Sequence, residues 1–428
     1  MRTVTLPGTV TLLACLLALA ACRVEEMQIA APGAPSPSDA TAFASDEPDP
    51  DSTALAAQRS ARDWRRALYA DSMQVDTLAA SQAQAAFRER ADAIRPEAFR
   101  AGFRPTLPIG GDVAGPSVLA VQILLDRAGF SPGPLDGAWG SNAEKAAFWF
   151  QRNEDLPATG VVDAATFERL VERAGRPAAY TTTYRLTEDD LDREFKALPS
   201  DVYERAKLRE LGYESIAEML GERFHAAPAL LRQLNPGRDL NALKAGDEVT
   251  VPATGDRPER RVERLVVSGQ GRYLHALGPD GRIAYHFPAT LGAGYDPSPE
   301  GELEITSVTE RPWWHYQPRI LARVPDDRPE ARLPPGPNND VGLVWMALSE
   351  PHYGIHGTKS PETIGYAASA GCVRLTNWDA LALAARVGEG TPVRFRDIEG
   401  RSGSGQGETA ARPENRREDR REDRSRGS

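Results

Sequence analysis

Apolar positions along this chain change their period from one region to the next. Val10 to Ala21 is a continuous apolar run containing Leu12, Leu13, Leu16, Leu17 and Leu19. It is too short for a stable membrane-spanning helix and reads as the apolar segment of a secretory signal. From Met27 to about Ala54 the pattern disappears into Ala, Pro, Ser and Asp, which cannot bury a core and reads as a disordered tether. Helical spacing follows: Ala57, Ala61, Trp64, Ala67 and Leu68, then Val75, Ala79, Ala83, Ala86 and Phe87, with Arg95-Pro96 expected to break the second helix. Val118 to Leu170 predicts short amphipathic helices separated by turns at Asp136-Gly137 and Thr159-Gly160. Ser215 to Pro252 predicts two helices and a closing strand, Val249 to Pro252; a first strand near Tyr180 to Tyr184 is separated from them by a charged insertion. Between Arg261 and Phe395 the period shortens to that of strands: Leu265-Val266-Val267, Tyr273 to Leu277, a turn at Pro279-Asp280-Gly281, then Ile283, Tyr285 and Phe287 in alternation. Gly342 to Leu348 reads as another strand, a helix is expected from Thr376-Asn377-Trp378-Asp379 to Val387, and Thr391 to Phe395 as a final strand.

Length and composition narrow this further. A chain of 428 residues suggests two to four domains, and 41% hydrophobic with 26% charged residues is ordinary for a globular protein. The net charge of −10, with no basic domain, argues against a nucleic-acid partner. From Glu399 onward Gly, Ser, Arg, Glu and Asp nearly cancel in charge, as in a solvated disordered tail.

The cysteines divide by position. Cys15 lies within the expected signal, and Leu19-Ala20-Ala21-Cys22 resembles a bacterial lipobox, which would make Cys22 a lipidated first residue of the mature chain. A signal cleaved after a small residue is the alternative. Cys372 then stands alone, and a single free thiol in an exported protein favours a reactive role.

Cys372 has company that chemistry can use. A thiol attacks only as its thiolate and needs a base, and His356 lies sixteen residues before it, next to Gly357. The small residues Ser369, Ala370 and Gly371 let the N–H groups of Ala370, Gly371 and Cys372 point at one spot, where an oxyanion would sit. His352 is four residues from His356, but no third metal ligand has sensible spacing, so no metal and no cofactor are expected; His352 is read as lining the pocket.

The run Ile355-His356-Gly357-Thr358, followed by Ser369-Ala370-Gly371-Cys372-Val373-Arg374-Leu375-Thr376-Asn377, resembles the signature of the L,D-transpeptidase (YkuD-like) catalytic domain. Ala370 replaces the family's usual histidine. Asp296 to Gly301 and Arg311-Pro312-Trp313-Trp314 resemble its Thr-Pro-x-Gly and Pro-x-Trp segments. Val118 to Leu170 resembles the type 1 peptidoglycan-binding domain, and Tyr213 to Pro252 a degenerate LysM module. The resemblance implies a multidomain α+β protein: signal 1–21, tether 22–54, helical spacer 55–105, three-helix peptidoglycan-binding domain 106–175, βααβ LysM-like module 180–255, mostly-β catalytic sandwich 260–397 and charged tail 398–428.

It also implies cysteine acyl transfer. Cys372 attacks the amide after the third residue of a tetrapeptide stem, with His356 as base, the Gly357 carbonyl orienting the imidazole, and Arg374, His352, Ser369 and Trp314 contacting substrate. Arg374 could equally pin its own loop. An amine of a neighbouring stem then completes a 3-3 cross-link in peptidoglycan; a lipoprotein is a second possible acceptor. L,D-carboxypeptidase hydrolysis through the same thioester, or a non-catalytic wall-binding lipoprotein, remain as alternatives. The expected place is the periplasm, with a lipid anchor to the membrane.

Overall fold

The computed structural model describes residues 77–398 apart from 101, 322, 323 and 326. The expected signal, the tether with Cys22, the first part of the helical spacer (55–76) and the charged tail lie outside the described residues. The described chain begins with α1 (Thr77–Ala86), which buries only Ala80 and Ala83. That helix ends nine residues before Arg95-Pro96, where the sequence suggested its break. The reason is local: beyond Phe87 the charged run turns away so that Glu89 can accept from the Ser117 N–H at 2.7 Å and from its hydroxyl at 2.5 Å. A carboxylate there neutralises the exposed N–H groups and the positive dipole end of α2 (Pro116–Arg127).

α2 packs with α3 (Ser141–Asn153) and α4 (Ala164–Ala174) into a helical region whose core holds Leu119, Ile123, Leu124, Phe148, Phe150 and Leu170. Two buried glutamines close its turns. Gln122 receives the Gly137 N–H at 2.8 Å and donates to Asp136, while Gln151 receives the Thr159 and Gly160 N–H groups and donates to the Val161 carbonyl. With both turns satisfied internally, Asp136-Gly137 and Thr159-Gly160 are explained by turn chemistry.

The middle region contains the strand that the sequence left uncertain. β1 (Thr181–Arg185) pairs antiparallel with β2 (Glu248–Pro252), from Thr181 opposite Pro252 to Arg185 opposite Glu248. Between them come α5 (Glu188–Leu191) and α6 (Val202–Ala206) in the charged insertion, then α7 (Ile216–Arg223) and α8 (Pro228–Leu234). Ser215 caps α7 by accepting from the Glu218 N–H.

The last region is built on β3 (Arg264–Ser268), β4 (Tyr273–Leu277), β5 (Ile283–Pro288), β6 (Gly301–Glu310), β9 (Val344–Leu348), β10 (Gly354–His356), β11 (Val373–Arg374) and β12 (Pro392–Arg396). They form one eight-stranded sheet in the order β11-β10-β9-β6-β12-β3-β4-β5. A two-sheet sandwich was expected, and β6 explains the difference. Its first residues pair with β12 and, beyond an irregularity between Ile305 and Ser307, its remainder pairs with β9, so one strand serves both halves of a curled sheet. Leu274, Phe287 and Val267 from one half share a core with Val344, Met346, Ile355 and Val373 from the other. α9 (Asn377–Ala384) covers that core with Ala380 and Leu383, and ends three residues before the expected Val387. A short arm, β7 (Trp314–Tyr316) with β8 (Ala331–Leu333), stands apart from the sheet.

A buried polar cluster locks the regions together. Arg257, in the linker after β2, pairs with Asp126 of α2 and with Asp379 of α9, the latter at 2.7 Å. His225 reaches Asp126 at 2.9 Å, and the Ser131 hydroxyl donates to Asp379 at 2.7 Å. Burial alone would push the Asp126 carboxyl up, but Arg257 and His225 outweigh it and hold that carboxyl well below the usual range.

Candidate active site

β10 and β11 run parallel and side by side, with Ile355 opposite Val373 and His356 opposite Arg374. Side-by-side register puts Arg374 on the face that carries His356, and Cys372 immediately precedes the strand. The pairing is extended at one end by the Leu375 N–H donating to the His356 carbonyl at 2.8 Å. Cys372 sits just ahead of β11, a partly exposed free thiol with its Sγ 3.6 Å from the His352 carbonyl.

His356 is buried, stacked on Trp345 across the β9–β10 pairing with ring centroids 5.3 Å apart. Its Nδ1 lies 2.6 Å from the Gly357 carbonyl oxygen. A carbonyl can only accept, so Nδ1 carries the hydrogen and Nε2 keeps the lone pair. Burial, helped by the Arg374 charge, pushes the imidazole down to about 3. Burial also pushes the Cys372 thiol up to about 11, against the pull of the Gly354 N–H and Arg374. At neutral pH the site therefore holds a neutral thiol and a neutral, proton-accepting imidazole. The proton must leave the thiol as the sulfur attacks.

The turn before the thiol is held from below. Gly371 has φ +89, and a Cβ there would fall 2.6 Å from the Tyr353 ring. Its carbonyl accepts from the Ser298 hydroxyl at 2.7 Å, and that hydroxyl in turn accepts from the Gly292 N–H at 2.9 Å. The Ser369 hydroxyl donates to the Cys372 carbonyl at 2.5 Å. With these carbonyls directed inward, the N–H groups of Ala370, Gly371 and Cys372 have no hydrogen-bond acceptor among the described residues. An oxyanion hole needs donors free in this way.

The structure distributes the other candidate residues unevenly. Arg374 has its Nε buried without a hydrogen-bond partner, and its charge bears on both His356 and Cys372. His352 is exposed in a left-handed conformation at φ +71, and it is its carbonyl that reaches the thiol. Trp314 lies in the β7–β8 arm, edge-on to Tyr316 with centroids 5.5 Å apart. Asn377 is the first residue of α9 while Thr376 caps it, and the Asn377 amide ties the 337–343 loop down through the Pro337 carbonyl and the Leu343 N–H. No cluster of three His, Cys, Asp or Glu suited to a metal occurs among the described residues.

Sequence reasoning missed Ser298, Tyr353 and Trp345. Ser298 stood inside the Asp296 to Gly301 segment already singled out, and that was its only signal. The other two are ordinary aromatics until register brings them to the site.

Known proteins resemble two parts of the chain. The L,D-transpeptidase catalytic domain (YkuD) matches residues 263–395 and a peptidoglycan binding domain matches residues 114–170. The chain is 31% identical over 176 residues to a protein named as an L,D-transpeptidase YkuD in Bacillus licheniformis, covering 41% of this chain and 90% of the relative. A protein of the same name in Bacillus subtilis is 32% identical over 170 residues, covering 40% of this chain and 87% of its own. A crystal structure of an L,D-transpeptidase from Xylanimonas cellulosilytica aligns at 18% identity over 68% of this chain and 98% of that one, with a TM-score of 0.31. With a catalytic-domain match over the whole curled sheet and relatives aligned over almost their full length, the chain belongs to the YkuD family of L,D-transpeptidases.

Proposed function

We infer that this chain is an L,D-transpeptidase acting on peptidoglycan, with Cys372 as the nucleophile. The observation that supports the reading is the pairing of β10 with β11, which brings the strand of His356 beside the strand that Cys372 immediately precedes, next to backbone N–H groups with no acceptor among the described residues.

The reaction follows from the residues in place. As Sγ of Cys372 bonds to the carbonyl carbon of a stem-peptide amide, its proton passes to Nε2 of His356. The Gly357 carbonyl steadies the resulting imidazolium through Nδ1–H. The N–H groups of Ala370, Gly371 and Cys372 receive the oxyanion. When the tetrahedral intermediate collapses, the C–N bond breaks, the amine leaves with the proton from His356, and a thioester remains on Cys372. A side-chain amine of a second stem then attacks the thioester, loses its proton to His356, and releases the thiol with a new amide, the 3-3 cross-link. Arg374 serves as the anchor for a donor carboxylate, through a two-pronged contact of the kind guanidinium groups favour.

The accessory regions fit the same task. The helical region and the β1-α7-α8-β2 unit, which we take as a LysM-like glycan binder, raise the local concentration of enzyme on a polymeric substrate. The apolar run ending at Cys22 supports export to the periplasm and lipid anchoring.

The test is incubation of the full chain with a carbapenem followed by mass measurement. The strained amide of the drug should acylate wild type once and leave Cys372→Ala unmodified. An adduct of equal yield on Cys372→Ala removes Cys372 from the mechanism.

A further inference from the structure

Base and nucleophile are joined by one loop, residues 357–371, and its middle is held from outside the catalytic sheet. Asn142, the second residue of α3, is buried, and its Nδ2 donates to the Ile364 carbonyl at 2.8 Å. The next residue, Gly365, has φ +83, and a Cβ on it would come within 2.3 Å of the Asn142 amide oxygen. The Tyr366 hydroxyl ends 3.0 Å from where a Cβ on Gly140 would stand. The catalytic region grips the same stretch from the opposite side. Thr290 accepts from the Gly365 N–H at 3.0 Å and donates to the Thr363 carbonyl at 3.2 Å, and Arg272 donates to the carbonyls of Tyr366 and Ala367 at 2.9 and 3.0 Å.

From this clamp we propose that Asn142 is a positioning residue for the transpeptidase reaction, so that the helical region is part of the catalytic scaffold as well as a wall-binding module. The proposal rests on Cys372 being the nucleophile. The physical reason is leverage. Thr290 also bonds through its backbone to Arg374, N–H to carbonyl in both directions at 3.0 and 2.8 Å, and Ser369 bonds to Leu291 at 2.8 Å. The loop is therefore fixed to one ladder at its end, and the α3 contact holds its middle from the side opposite Thr290 and Arg272. Releasing the Ile364 carbonyl lets the loop move while its ends stay attached. The oxyanion donors and the thiol then lose their alignment on His356 without any loss of the surface that binds substrate. Acylation geometry is sensitive to displacements of this kind.

The experiment uses the full chain in four forms: wild type, Cys372→Ala, Asn142→Asp and Gly365→Ala. Asn142→Asp keeps the shape but removes the donor; Gly365→Ala presses on the same contact from the loop side and serves if Asn142→Asp folds poorly. Steady-state cross-linking of a tetrapeptide muropeptide is measured with thermal melting of each form. The expected result is a fall in kcat of about tenfold in Asn142→Asp and Gly365→Ala, with KM within about twofold and melting well above the assay temperature. A kcat within twofold of wild type in both variants, or losses that only follow the unfolded fraction, overturns the proposal. Wild type that matches Cys372→Ala would instead overturn the reading of the nucleophile.

Discussion

His356 and Arg374 face each other across the parallel pair β10–β11, so the imidazole proposed as the base has a permanent cation as its neighbour. Together with burial, this keeps the imidazole neutral in acid where a free histidine would be charged.

The acid limb of the reaction should shift accordingly. The base is competent when unprotonated, and a value lowered from 6.5 to about 3 keeps it so as pH falls. The thiol, raised to about 11, stays protonated through neutrality. Carbapenem acylation should therefore show no inflection near pH 6.5, where an ordinary histidine titrates, and should persist to about pH 5. A rate against pH curve, from stopped-flow or timed mass spectrometry, checks this; a half-loss at pH 6.5 would contradict it.

Stability should fall in acid for a related reason. His275, His286 and His356 are all buried, and burial pushes the first two well below 6.5 as it does His356. The unfolded chain therefore takes up protons before the folded one does. The stability these three histidines contribute should be level above about pH 6.5 and decline below it, by up to about 1.4 kcal/mol per pH unit for each histidine. Urea unfolding at several pH values measures the slope, and His275→Gln, at the 3.0 Å contact with His286, should make it shallower.

Gly371→Ala attacks the oxyanion turn directly. A side chain at φ +89 is strained by about 1–3 kcal/mol, and here it also strikes Tyr353. The loss of acylation rate should exceed tenfold, with the melting curve displaced by a few degrees. Adding Tyr353→Ala removes the collision but not the strained φ, so only part of the rate should return.

The junction makes the regions interdependent. Arg257→Met would leave Asp126 and Asp379 buried without their cation, at a cost of about 3–5 kcal/mol. Combining Arg257→Met with Asp126→Asn and Asp379→Asn should recover most of that in a denaturant titration. Because the cluster spans α2, the linker and α9, the Arg257→Met protein should also lose cross-linking activity as α9 loosens beneath the site.

Much of the site was legible in the sequence because chemistry restricts residue types locally. His356-Gly357 and Ala370-Gly371-Cys372 carry the candidate nucleophile, base and backbone donors within one short stretch, and strand alternation in Ile283, Tyr285 and Phe287 is a period that needs no partner to be seen. What escaped was set by distant pairing. Ser298 matters because it meets Gly371, Asn142 because it meets Ile364, and Arg257 because it meets two aspartates from different regions; each is unremarkable among its own neighbours. The curled single sheet was hidden for the same reason, since β6 must be seen pairing with both β12 and β9. Trp314, drawn from a resemblance in the Arg311 to Trp314 segment, belongs to an arm whose position no local pattern could give.

The most direct test is product analysis of the full chain incubated with a tetrapeptide muropeptide, compared with Cys372→Ala. A cross-linked dimer with loss of one terminal residue, formed by wild type and absent with Cys372→Ala, is the predicted result. Tripeptide monomer with no dimer would contradict the transpeptidase and mark the same thioester as hydrolytic.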